Sequence, residues 1–209
     1  VTQAGSRTRR FREGQRVLPY VMVGCGTCPF CVRGDYMYCR QIKGVTTGFA
    51  EYQVFEEKYL LPVPDSLSSR VGTLLGDTLG TAVRAVRKAQ LKGGETAVVC
   101  GLGPLGLVAV QALRLSGAGS VVGVDPLESR RRAAREMGAT LTLKADPGNI
   151  RDEVLGLTQG CGADVVINTV NSGEAAAEAF GLLRGGGKLV LVAGTCTGYG
   201  AQGGIRGQA

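Results

Sequence analysis

Val98-Val99-Cys100-Gly101-Leu102-Gly103-Pro104-Leu105-Gly106 is an apolar run that stops at a glycine and restarts as a helix. Thr96–Cys100 has the length and continuous apolarity of a buried strand. Pro104 suits the first turn of a helix, which the pattern carries to Leu115. Between them stands Gly-x-Gly-x-x-Gly. Gly101 permits a tight turn, Gly103 lets a pyrophosphate approach the backbone, and Gly106 lets helix and strand pack closely. Pro104 and Leu105 belong to the same turn, where a helix N-terminus offers N–H groups and partial positive charge to phosphates. The next strand, Ser120–Asp125, ends in an acid. The Asp125 carboxylate could hold both ribose hydroxyls of an adenosine, which favours NAD and repels the 2′-phosphate of NADP. Arg130 could rim the same ribose. Arg130 to Arg132 could also contact a 2′-phosphate, so NADP is admitted. Asp125 before Pro126 has a plainer reading as a helix cap.

The alternation continues outward. Leu127–Met137 reads as an Arg-rich amphipathic helix, Leu141–Leu143 as a strand and Ile150–Thr158 as a helix. Asp164–Asn168 reads as a strand, Glu174–Leu183 as an alanine-rich helix and Lys188–Ala193 as a strand. Apolar strands alternating with helices imply an α/β fold, a parallel sheet covered on both faces. The character changes near residues 90–95. Before it, Arg16–Met22 and Ala50–Phe55 read as short strands, and Pro62-Val63-Pro64-Asp65 as a turn. Ser66 or Ser68 can cap a helical stretch. Thr78–Gln90 shows helical spacing of Leu79, Val83, Val86 and Ala89 and is ended by Lys92-Gly93-Gly94. Gly198–Ala209 is a glycine-rich tail.

A second signal lies in the first part. Cys25, Cys28, Cys31 and Cys39 form Cys-x2-Cys-x2-Cys-x7-Cys. Four thiolates that close in sequence can converge on one ion, and tetrahedral sulfur coordination suits a closed structural zinc site. Gly24, Gly26 and Gly34 let the backbone turn the sulfurs inward. An iron–sulfur cluster is the rival, but its fourth cysteine usually follows after three residues and precedes proline. Here the gap is seven and Arg40 follows. Seven cysteines is an odd number, so disulfides cannot use them all. Cys100, Cys161 and Cys196 read as buried free thiols.

The chain of 209 residues is 44% hydrophobic and 20% charged, as in an ordinary globular protein, and the expectation is an intracellular, cytoplasmic one. No stretch is long and apolar enough to cross a membrane. A net charge of +7 invites a nucleic-acid partner. The arginines are spread along the chain with no aromatic-interleaved stripe, so none is expected. Histidine is absent. Any catalytic account must therefore work without it or use histidines outside the segment.

The two motifs in this order resemble the medium-chain dehydrogenase/reductase family, most nearly its zinc-dependent alcohol and polyol dehydrogenases. Phe11–Val17 looks like the strand before that family's zinc lobe, and Gly24–Cys31 with Cys39 like the structural zinc lobe. Gly48–Tyr52 is similar to the strand that follows, and Gly76–Ala82 to the helix entering the active site. The resemblance implies a partial GroES-like, β-rich catalytic domain over 1–75, with its zinc lobe at about 20–45. An incomplete Rossmann doubly wound sheet would follow over 76–209. It also implies oxidation of a small-molecule alcohol with hydride passing to NAD(P)+, and a homo-oligomer, dimer or tetramer. Asp77 falls where the family places a protein ligand of the catalytic zinc, although it could merely cap the helix. Thr81 matches the threonine against the nicotinamide. Thr169, Val170, Ala193 and Gly194 match strand ends that line the cofactor cleft.

Departures temper this. The family's first catalytic zinc ligand, a cysteine, and the histidines of the catalytic ligand set and proton relay have no counterpart. A full fold of this kind has six strands, whereas the reading finds five, ending near Ala193. The expectation is a chain truncated at both ends that lacks most catalytic zinc ligands. Two functions remain open: the central part of a zinc-dependent NAD(P)-linked alcohol dehydrogenase, or a zinc-stapled NAD-binding module without turnover. A zinc-ribbon interaction protein would explain the cysteines but neither Gly101–Gly106 nor Asp125.

Overall fold

The computed structural model describes residues 1–20, 22–44, 48 and 50–193. Phe49, Gly194, Cys196 and the tail Gly198–Ala209 lie outside them. The chain divides into two compact units, Val1–Asp77 and Thr78–Ala209.

In the first unit, β1 (Val17–Pro19) pairs antiparallel with β4 (Leu60–Pro62), Leu18 opposite Leu61. The short β2 (Met22–Val23) pairs with β3 (Lys43–Gly44). The single strand expected over Arg16–Met22 is thus two pieces. Ala50–Phe55 forms no strand. Tyr52 is 74% exposed and Val54 98% exposed, so its apolar side chains bury no face that would hold an extended segment. Between β2 and β3 lie α1 (Pro29–Val32) and a 3₁₀ turn at Tyr36–Tyr38. Aromatic rings tie this lobe to the rest of the unit. Tyr36 stands 5.9 Å from Tyr20 and 5.7 Å from Tyr59, centroid to centroid, and the Tyr59 hydroxyl donates to the Gly24 carbonyl. Ser68 caps α2 (Ser69–Gly72) by accepting from the Val71 N–H at 3.2 Å.

The second unit opens with α3 (Thr78–Ala89), ended by Gln90 at φ 49°. Five parallel strands follow: β5 (Thr96–Cys100), β6 (Ser120–Val124), β7 (Leu141–Leu143), β8 (Ala163–Asn168) and β9 (Leu183–Leu191). Their order is β7-β6-β5-β8-β9, so the sheet grows both ways from β5. That is the doubly wound arrangement, and its topological switch point lies beside β5. Side chains alternate along each strand, as strand geometry requires. Ala97, Val99, Val121, Val165 and Ile167 bury one face under α3, α4 (Pro104–Leu115) and α5 (Glu128–Glu136). Val98, Val122, Val124 and Val166 bury the other under α6 (Pro147–Leu157) and α7 (Gly173–Gly181). Among the described residues no helix is long and apolar enough to cross a membrane.

Two boundaries differ from expectation by three residues or more. α6 starts at Pro147, which occupies its first turn, rather than at Ile150. β9 starts at Leu183, before Gly185-Gly186-Gly187, rather than at Lys188. A register shift against β8 absorbs the glycines, and a Cβ on Gly187 would sit 2.9 Å from the Ala163 carbonyl oxygen. Cys100 is a buried thiol as expected. Cys161 is exposed, because it sits in the turn after α6 between Gly160 and Gly162, both at positive φ.

Leu113 in α4 is fully buried against the sheet. Leu113→Ala is expected to cost about 2–5 kcal/mol in urea unfolding. A loss below about 0.5 kcal/mol, the range of exposed positions, would contradict this packing.

Candidate functional site

The cleft lies at the carboxyl ends of β5, β6 and β8. It has a volume of about 730 Å³ and is lined by Gly101, Gly103–Gly106, Asp125, Arg130, Thr169 and Val170 among others. Its floor is the turn leaving β5. Gly101 sits at φ +87°, and a Cβ there would meet Thr169 Oγ1 at 2.6 Å. A Cβ on Gly106 would collide with the Gly101 carbonyl oxygen, so only glycine lets α4 start this close to β5. Gly103 is different. An added Cβ would have no neighbour within 4 Å, so its backbone is open to an approaching group. Gly103 is the N-cap of α4 and carries no side-chain cap, and Pro104 follows it. The first-turn N–H groups therefore lack internal acceptors, which makes this end of the cleft suited to an anion.

Asp125 stands at the rim, 1% exposed. Its Oδ2 accepts from the Leu102 N–H and its Oδ1 from the Leu127 N–H, both at 2.9 Å. Each carboxylate oxygen has two lone pairs, so Oδ1 keeps a second acceptor for a hydroxyl, whereas the second position on Oδ2 takes a long hydrogen bond from Arg130 Nη1 at 3.4 Å. The α5 N-cap is Leu127, so Asp125 braces the turn before the helix and does not itself cap it. The Arg130 guanidinium lies 3.4 Å from Asp125 Oδ2 and is half-exposed. Arg131 donates to the Asp125 carbonyl at 2.6 Å and is engaged by Glu128 at 2.7 Å. Across the cleft, Thr169 Oγ1 donates to the carbonyls of Cys100 and Gly101 at 3.1 and 3.0 Å. Val170 lines the wall, whereas Ala193 is half-buried and its carbonyl takes a hydrogen bond from Asn168. Gly194 lies outside the described residues. Cys100 lines the cleft, and burial pushes its thiol up to about 12, so it is no nucleophile at neutral pH.

The four cysteines converge. Their sulfurs all lie within 4.8 Å of one another, with Cys25 Sγ 3.9 Å from Cys31 Sγ. Bonds of about 2.3 Å to one tetrahedral zinc put sulfurs about 3.8 Å apart, so the spacing fits a single ion. A Cβ on Gly24 would collide with Cys31 Sγ, so the backbone must be bare there. Backbone N–H groups brace the sulfurs: Cys28 donates to Cys25 Sγ at 3.4 Å, and Gln41 to Cys39 Sγ at 3.3 Å. Hydrogen bonds from Thr27 pull the Cys25 thiol down to about 6. Burial pushes Cys31 up to about 12. The donor set, four sulfurs of which Cys25 and Cys39 are braced by N–H groups, suits a soft-tolerant divalent ion with no open position.

Asp77 is exposed just ahead of α3, and Thr81 is half-buried in that helix's first turn. Among the described residues, Asp77 joins no group of three or more potential metal ligands. One polar residue in the second unit went unrecognised by sequence reasoning. Asn168, at the end of β8, is fully buried, and its only sequence signal is a polar side chain closing an apolar strand.

Comparison with known proteins agrees with both halves. Residues 1–65 match the alcohol dehydrogenase GroES-like domain, and residues 104–202 match the zinc-binding dehydrogenase domain. Sorbitol dehydrogenase of Bacillus subtilis is 30% identical over 197 residues, covering 92% of this chain and 56% of that protein. L-threonine 3-dehydrogenase of the same organism is 32% identical over 196 residues, covering 92% and 56%. A Sinorhizobium meliloti structure described as a zinc-binding dehydrogenase, bound to NADP, superposes with a TM-score of 0.86 at 30% identity, covering 95% of this chain and 59% of that one. Alcohol dehydrogenase from Thermus sp. ATN1 superposes with a TM-score of 0.83 at 26% identity, covering 93% and 59%. The chain belongs to the zinc-dependent alcohol dehydrogenases of the medium-chain dehydrogenase/reductase family. It spans about half the length of the curated relatives it matches.

Cys31→Ser removes the most buried donor side chain of the metal-binding loop apart from Cys39. Zinc content by elemental analysis is expected to fall from about one ion per chain to well below that, with a lower melting temperature. Unchanged zinc and melting would contradict a four-sulfur site.

Proposed function

We propose that this chain is the cofactor-binding and zinc-stapled part of an alcohol or polyol dehydrogenase that uses NAD in preference to NADP. The carrying observation is Asp125, a buried carboxylate held by two backbone N–H groups at the cleft rim with acceptor capacity left over. One ribose hydroxyl can donate to the lone pair left on Oδ1 and the other can replace the long Arg130 contact on Oδ2, whereas a 2′-phosphate would bring negative charge against the carboxylate. Arg130 beside Asp125 adds a donor on the same side.

The roles follow from the cleft. Gly101, Gly103 and Gly106 let the pyrophosphate lie on bare backbone, and the α4 N-terminus supplies N–H groups and dipole. Pro104 and Leu105 form that first turn, and Val170, which lines the cleft, would wall the nicotinamide side, with Ala193 assigned there by the family resemblance. Thr81 would lie against the nicotinamide and Asp77 would give an oxygen ligand to a catalytic zinc. A nicotinamide held there would supply a hydride acceptor, and a catalytic zinc would supply a Lewis acid for the alcohol oxygen. Cys25, Cys28, Cys31 and Cys39 would hold a separate, structural zinc whose two positive charges favour the thiolate form of all four. The parent enzyme on this reading is a cytoplasmic homo-oligomer acting on a small-molecule alcohol.

The test is calorimetric titration of the 209-residue chain with NAD+ and NADP+. In the wild type NAD+ is expected to bind at least about tenfold more tightly, the scale of one charge-assisted hydrogen-bond pair. Asp125→Gly should weaken NAD+ far more than NADP+. Equal loss of both cofactors would refute the ribose assignment.

A further inference from the structure

Asn168 carries three side-chain hydrogen bonds inside the second unit, and none of its surface is exposed. Its Nδ2 donates to the Val170 carbonyl at 3.0 Å and to the Ala193 carbonyl at 3.2 Å. Its Oδ1 accepts from the Val170 N–H at 3.3 Å. Its own carbonyl accepts from the Val192 N–H at 2.9 Å and, longer, from Ala193 at 3.4 Å. One residue therefore ties the segment leaving β8 to the segment leaving β9. The next residue continues the tie. Thr169 donates from Oγ1 to Cys100 and Gly101, and its N–H donates to the Cys100 carbonyl at 2.9 Å. Thr169 and Val170 are also the atoms that a Cβ on Gly101 would strike. The carboxyl ends of β5, β8 and β9 thus meet through Asn168–Thr169–Val170.

We infer that Asn168 is a positioning residue for the dinucleotide: its carboxamide fixes the Val170 wall and, through Thr169, the glycine turn. Asn168 itself does not line the cleft, whereas Thr169 and Val170 do. Only a carboxamide meets the demand, since the site needs two donors toward carbonyls and one acceptor toward an N–H. A carboxylate of the same shape would set a charged oxygen against two carbonyl oxygens in a buried place. An apolar residue would leave two buried carbonyls and one N–H without these partners. This inference rests on the cleft being a dinucleotide site.

The experiment titrates NAD+ into the zinc-loaded chain and its variants by calorimetry, at about pH 8 and about pH 5. Affinities are taken as ratios to the wild type at each pH, because Asp125, Arg130 and Glu178 line the cleft in every variant. Asn168→Ala is expected to lose about tenfold or more at both pH values with zinc content unchanged. Asn168→Asp is expected to lose a similar factor at the higher pH and to recover part of it at the lower, where the protonated acid can donate to one carbonyl. Ile167→Ala, one residue earlier and fully buried, is the control for general loosening of the sheet. Its folded fraction should keep wild-type affinity within about twofold. A wild type that fails to bind NAD+ overturns the cleft reading and this role with it. A wild type that binds, with Asn168→Ala within twofold of it or no recovery of Asn168→Asp on acidification, overturns the positioning role alone. Amide exchange in the wild type needs no variant. The Val170 N–H should be protected as strongly as those of β8, and exchange at an open-loop rate would overturn the inference even if both variants failed to fold.

Discussion

The second unit depends on how closely α4 approaches the end of β5. A Cβ on Gly106 would collide with the Gly101 carbonyl oxygen, and the helix can start there only because that atom is missing. The same approach puts the orphan N–H groups of the α4 first turn at the switch point of the sheet, where strand order turns outward on both sides. Everything else at the cleft is arranged around this turn. Leu102 is buried beneath it and gives its N–H to Asp125. Thr169 closes it from the far side. The cleft is a consequence of backbone packing, and side chains decide what it accepts.

The first unit solves a different problem with different means. Among the described residues it has two short antiparallel pairs and few fully buried side chains, too little apolar burial to fix a loop as long as that between Gly24 and Cys39. On the proposed reading, an ion held by four sulfurs within 4.8 Å of one another would take the place of the missing core. The Tyr20, Tyr36 and Tyr59 rings, in tilted and edge-on contact, join that lobe to the strands beside it. Cys25 drawn toward thiolate and Cys31 held as thiol show that hydrogen bonds and burial alone treat the four sulfurs unequally. A bound cation would remove the inequality.

Much of this was legible in the sequence because local rules dominate where it is legible. Thr96–Cys100 and Pro104–Leu115 form the strand and helix read from apolarity and proline placement. Cysteine spacing sufficed for convergence because short loops have few ways to bring four sulfurs together. Reading failed where distant partners decide. The expected strand begins only at Lys188, and the register shift against β8 is what takes Gly185–Gly187 into it. Ala50–Phe55 has strand-like residues that bury no face. Cys161 looks like another core thiol until Gly160 and Gly162 turn it outward. Asn168 carries no local signal, since its partners at Val170 and Ala193 come together only when β8 and β9 are side by side.

The most direct measurement is a ¹⁵N–¹H correlation spectrum of the zinc-loaded chain titrated with NAD+. The largest shifts are expected at the amides of Gly101, Leu102, Gly103, Asp125 and Val170, saturating together, with residues 25–39 unmoved. Shifts absent from the glycine turn, or concentrated in the cysteine loop, would contradict a dinucleotide site built on the Gly101–Gly106 approach.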